Sequence, residues 1–173
     1  MQQAHYLRRI RFWLVIFVAG LVLSGITAFP LQTELHCLLS LLNTNALRPI
    51  AESTYLLPWI ERVQDALSST NAHYPFLAYG TDWLAYGHLA IAVVFIGPYI
   101  DPVRNKWIFT FGLIACAGVI PLALIAGQIR GIPLPWRLID CSFGIFGAVP
   151  LLLCRRSIQA LEHLQNTSEL SLS

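Results

Sequence analysis

A chain of 173 residues that is 56% hydrophobic, 12% charged and +2 in net charge departs from the composition of soluble proteins. Soluble domains carry about 25% charged residues, so a self-contained soluble domain is excluded. The basic residues are scattered, which leaves nucleic-acid binding without support. The charge deficit falls in four apolar stretches, 12–29, 83–100, 107–127 and 134–154. A bilayer core about 30 Å thick is crossed by about 20 mostly apolar residues at about 1.5 Å of rise each. The expected fold is therefore all-α, a polytopic membrane helical bundle with four transmembrane helices. Residues 1–165 read as a single domain, with 30–82 as an outer segment holding short interfacial helices and 166–173 as a polar tail.

The first stretch follows Arg8, Arg9 and Arg11, as a signal peptide would. Its apolar core is longer than the usual 7–15 residues of such peptides, roughly, and Ile26 is too large for the −3 position of a cut after Ala28. A retained first helix is expected. Pro30 should end it, because proline lacks an N–H and restricts the residue before it. A short helix is expected over 31–42, with Thr33 as its cap and Glu34 in its first turn. The Asn, Thr and Pro content of 43–53 predicts a loop. In 55–69, Trp59, Val63 and Leu67 recur every four residues among polar neighbours, and Pro58 suits a first helical turn. Such an amphipathic helix either lies on the outer membrane face or packs as a lid over the bundle.

Thr81 or Asp82 is expected to cap the second span, which should close at Gly97-Pro98. The link 101–106 reads as a compact turn in which Asp101 either pairs with Arg104 or accepts turn hydrogen bonds. Gly112, Ala115, Ala117 and Gly118 give the third span a small-residue surface for close helix approach, and Pro121 should bend it. A Gly/Pro-rich turn covers 127–135. The fourth span carries Gly144, Gly147 and Pro150, and Ile158, Leu161 and Leu164 can extend it as an amphipathic helix.

Basic residues near span ends set orientation. Arg8, Arg9, Arg11, Arg104, Lys106, Arg155 and Arg156 fall on one side, against Arg48, Arg62, Arg130 and Arg137 on the other. Seven against four places both termini in the cytoplasm. Trp13 and Trp107 then mark the inner interface, and Trp83 and Trp136 the outer one.

Ionisable groups inside a bilayer are costly, so they are paired or functional. His88 in the second span and Asp140 in the fourth both fall in the outer leaflet at similar depth, and Arg137 shares a helix face with Asp140. A trio of His88, Asp140 and Arg137 can satisfy itself as a structural network. The same trio is also how a proton-handling or anion-binding site is built, with Tyr86 or Ser142 contributing if a ligand binds. His88 is the sole intramembrane histidine and His36 the sole other candidate, so no haem is expected. His36, Glu34, His73 and Asp82 show no fixed ligand spacing, so no metal or other cofactor is expected. Cys37 and Cys141 fall on the outer side, where a disulfide can persist, whereas small apolar filling explains all four cysteines. No catalytic motif names a reaction.

The runs HLAIAVVFIGPYIDPVRN at 88–105 and WRLIDCSFGIFG at 136–147 resemble segments of small bacterial four-span integral membrane proteins of unassigned activity. That resemblance implies a bacterial cytoplasmic (inner) membrane and brings no catalytic residues. Two functions are expected. One is an accessory or scaffold subunit that packs in the lipid bilayer against a membrane-protein partner or a second copy of itself. The alternative is a small-solute transporter or membrane-embedded enzyme built on His88, Asp140 and Arg137.

Overall fold

The structure, a computed structural model, describes residues 2–170, with side chains as far as Leu164 in the last helix. Among the described residues every regular element is helical and no strand occurs. Nine α-helices follow in order: α1 Gln2–Ala28, α2 Leu31–Leu42, α3 Arg48–Ser53, α4 Leu56–His73, α5 Tyr79–Val94, α6 Ile96–Ile100, α7 Lys106–Pro121, α8 Gly127–Ile129 and α9 Leu134–Leu170. A 3-10 turn, Pro75–Ala78, leads into α5, and a π segment, Leu122–Ala126, joins α7 to α8. Four helical stretches are long and apolar enough to cross a membrane: Gln2–Ala28, Pro75–Ile100, Lys106–Ile129 and Leu134–Leu164. The chain is a multi-pass membrane protein.

All four spans exceed the apolar stretches that foretold them, because helix continues into their polar flanks. Asn166–Ser173 was expected as a polar tail; α9 runs through Leu170, and 171–173 lie outside the described residues. Pro30 ends α1 as expected, and α2 begins directly after it. Thr33 does not cap α2: Pro30 holds that position and no side chain bonds to it. The loop expected at 43–53 contains α3, which Pro49 starts and an Arg48–Glu52 ion pair at 2.8 Å and i,i+4 spacing supports. That bond raises the pKa of the Arg48 guanidinium. Nor do Thr81 and Asp82 cap the second span, because the helix starts earlier, and Thr81 Oγ1 instead donates to the Ala78 carbonyl at 2.6 Å.

Along α4 the fully buried row is Leu57, Ile60 and Gln64, flanked by half-buried Trp59, Val63 and Leu67. The apolar stripe is thus rotated from the expected one and takes in a glutamine. Tyr55, just before α4, has φ 58° and is 73% exposed. A tyrosine in the left-handed region has steric strain, set here by the sharp α3–α4 corner.

The spans pack as a row. The central seam joins α1 to α9; α5 lies against α1, and α7 against α9. Helices α2, α3 and α4 pack on one another and reach the spans through α1 and the turn before α5. Ile10 meets Cys154, whose thiol donates to its carbonyl at 3.4 Å, and Phe17 lies opposite Gly147, so α1 and α9 run antiparallel. The N-terminal end of α1 and the C-terminal half of α9 therefore share one end of the bundle. The main core lies toward this end: Ile10, Leu14, Phe95, Phe109, Leu151, Cys154, Ile158 and Leu161 are all buried there. Phe95 fills the centre, its ring 4.9 Å from Phe17 of α1 and 6.5 Å from Phe109 of α7. Phe95 sits at the break between α5 and α6, and α5 itself shares no extended seam with α7.

In lipid, helices gain little from hiding apolar surface from each other, so close packing has to hold them. Glycines provide it. A Cβ on Gly144 of α9 would stand 2.5 Å from the Cys116 carbonyl oxygen of α7, and one on Gly112 would stand 2.8 Å from Leu151. Of the small residues expected to form the close approach on α7, Gly112 alone does so among the described residues: Ala115, Ala117 and Gly118 are exposed, and the tightest approach is made by Gly144 of α9 against the Cys116 backbone. At the link after α6, Asp101 accepts the Arg104 backbone N–H at 3.0 Å, which makes it a turn residue.

Candidate functional site

Each residue of the expected trio can now be located. His88 lies on α5 beside α1, where a Cβ on Gly25 would stand 3.2 Å from His88 Cβ. Its Nδ1 bonds the Leu84 carbonyl at 2.8 Å, one turn back on its own helix. On α9, the antiparallel seam pairs Cys154 with Ile10 and Gly147 with Phe17, both in steps of seven residues. The next step puts Asp140 at the level of Ser24. By that register His88 and Asp140 stand at one level along α1, that of Ser24 and Gly25. They flank α1, one from α5 and the other from α9.

The trio is not joined. Among the described residues no hydrogen bond or ion pair links His88, Asp140 and Arg137, and half-buried Asp140 has no polar partner at all. The three-residue spacing that should bring Arg137 to Asp140 is overridden by a stronger claim on the guanidinium. Pro121 ends α7 and the backbone widens into the π segment, whose Leu124 carbonyl accepts Arg137 Nη1 at 3.3 Å. Gly127 makes room for the arginine stem: a Cβ there would stand 2.6 Å from Arg137 Cδ. Arg137 Nε is buried without a partner. The two other residues expected to contribute face elsewhere in their bonding. Ser142 donates to the Ile139 carbonyl at 2.6 Å, and Tyr86 is exposed, edge-on to Trp83.

The turn after this arginine cradle is tightly specified. Gly131 has φ 69°, and the N–H groups of Gly131 and Ile132 donate to the Gln128 and Gly127 carbonyls at 3.2 and 2.9 Å. This is a Schellman motif, which a glycine in the left-handed region closes without strain. It fixes where α9 begins and hence where Arg137 stands. Pro121, Gly127 and Gly131 are the sequence signals for this arrangement, and nothing in the spacing of Arg137 and Asp140 reveals it.

Arg137→Met is expected to change stability by no more than about 1 kcal/mol. The substitution loses a charged hydrogen bond of about 1.5–3 kcal/mol and removes a buried orphan N–H that costs about 1–3 kcal/mol, so the two nearly offset. Arg137→Ala should cost more, because it also strips the stem packed on Gly127. Thermal unfolding of the detergent-solubilised variants measures both.

The remaining candidates stay apart. All four cysteines are free thiols: Cys37 is exposed and Cys141 is buried against α7, with its sulfur 4.0 Å from the Ile120 carbonyl. The disulfide between them is not formed. No group of three metal-ligating side chains occurs among the described residues. Three buried polar atoms on α4, Trp59 Nε1, Gln64 Oε1 and Asn71 Oδ1, also lack partners. Comparison with known proteins finds no match: no family model, no curated protein and no solved structure.

Proposed function

We propose that this chain is an accessory or scaffold subunit of a membrane assembly, docked through the outer half of α9 onto a membrane-protein partner. The observation that carries this reading is Asp140. A carboxyl inside a span is expensive unless it meets a donor or a cation, and no group among the described residues supplies one. A donor from another membrane helix at the depth of Ser24 would satisfy it. In this reading the protein resides in a bacterial inner membrane with both termini cytoplasmic, in line with the basic residues gathered at the end of the bundle that holds the core. Helices α2–α4 then form short interfacial helices on the outer side.

The test is affinity purification in mild detergent followed by mass spectrometry, on the wild type, Asp140→Asn and Asp140→Leu. A stoichiometric membrane protein is expected with the wild type. It should be retained in part by Asp140→Asn, which keeps a hydrogen-bonding group, and lost with Asp140→Leu. A partner-free wild type, or a partner held equally by Asp140→Leu, would overturn the reading. A second reading has one observation in its favour, the common depth of His88 and Asp140 on either side of α1. It makes the chain a small-solute transporter or membrane enzyme, with these two residues and Arg137 handling a proton or an anion. Activity lost in His88→Ala and Asp140→Asn, with all partners kept, would favour it.

A further inference from the structure

Where α1 crosses the break between α5 and α6, an apolar groove of about 130 Å³ opens on the lipid-facing side of the bundle. Val15 and Val18 of α1 form one wall, and Ala92, Phe95, Ile96 and Tyr99 form the other. The break itself creates the space. Pro98 has no N–H for the helical bond to Val94, the chain turns at Phe95, and the two walls part there.

The groove ends at cations. Arg11 lies one turn before Val15, with Nε donating to the Tyr99 carbonyl at 3.2 Å and its guanidinium 5.3 Å from the Tyr99 ring centroid. These contacts hold the side chain over the groove's end and leave its terminal N–H groups unused. Arg8 lies three residues earlier on the same face, exposed, and makes no hydrogen bond or ion pair among the described residues. Asp101, two residues past Tyr99, accepts the Arg104 backbone N–H on Oδ1, and neither arginine is paired with it.

An apolar trough at membrane depth, opening onto two guanidiniums at the membrane's edge, matches one chemical class of ligand. We propose that this seam is a binding site for an anionic phospholipid, with one acyl chain in the groove and the phosphate on Arg11 and Arg8. Guanidinium forks suit phosphate oxygens, and basic pockets at the ends of membrane helices recognise anionic headgroups. Tyr99 serves twice, as wall for the chain and as platform for Arg11.

The experiment titrates purified protein in detergent with phosphatidylglycerol or with phosphatidylcholine of identical acyl chains, counting bound lipid by native mass spectrometry. Wild type should bind phosphatidylglycerol at least tenfold more tightly. Arg8→Gln should weaken that binding about fivefold, from the usual contribution of one basic residue beside anionic lipid. The Arg8→Gln/Arg11→Gln double variant should bind the two lipids equally. Ala92→Phe, which fills the groove and leaves both arginines, should weaken both lipids. Equal binding of the two lipids by wild type, or unchanged binding by Ala92→Phe, would overturn the proposal. Arg11 also braces Tyr99, so if its substitution unfolds the protein Arg8→Gln alone decides: unchanged affinity refutes the headgroup site.

Discussion

Gly144→Ala is expected to destabilise the protein by about 1–3 kcal/mol, and Gly144→Leu to part α7 from α9 altogether. The reason is the identity of the atom in the way. The new Cβ would face the Cys116 carbonyl oxygen at 2.5 Å, which belongs to a helix backbone and cannot rotate aside. The helices must separate, and every contact along the seam weakens with them. Gly118→Ala on α7 provides the contrast, since nothing lies within 4 Å of its Cβ position. There alanine should be neutral or stabilising by up to about 1 kcal/mol through helix propensity. Denaturation of both variants in the same detergent separates a steric seam from a generic effect of losing glycine; equal responses would refute the seam.

Phe95→Ala is expected to cost about 2–3 kcal/mol, for a void on the order of 100 Å³. In lipid this cavity cost dominates, because the usual benefit of withdrawing the ring from water is missing. The ring touches α1 through Phe17 and α7 through Phe109, so its removal also releases the α5–α6 break from α7. Cys116, a buried member of the same core, should then react faster with a maleimide than in the wild type. Phe146→Ala is the matched control: that ring is 72% exposed on a lipid face, and its loss should stay within about 0.5 kcal/mol. A Cys116 labelling rate unchanged in Phe95→Ala would show that the rings do not shield this core.

The four spans were legible because their signal is composition over about 20 residues, which local detail cannot mask. Pro30 and the 31–42 helix were equally plain, as was the extension of α9 through Ile158 and Leu161. Helix α3 was hidden because proline and asparagine outweighed an i,i+4 ion pair in a six-residue stretch. For the candidate site, position along each helix could be read and contact could not. That position follows from rise per residue along one helix. Contact depends on which spans are neighbours, and the order α5, α1, α9, α7 leaves no trace in composition. The route taken by Arg137 was hidden for a related reason: it depends on the π segment that follows Pro121, in another helix.

The row of spans also has a consequence for how the protein is made. Its central seam joins the first span to the last, and the Cys154–Ile10 contact closes a separation of 144 residues. During synthesis α5 can settle against α1 as soon as it enters the membrane, but α7 meets only α6 and the Phe95 ring until α9 arrives. At about 5–20 residues per second, the partners of Ile10 and Leu14 on α9 reach the membrane roughly 7 to 29 seconds after α1 does. Through that interval the face of α1 that becomes the core must be sheltered by lipid or by the insertion machinery, and a nascent chain stopped before Leu134 has its walls without their keystone.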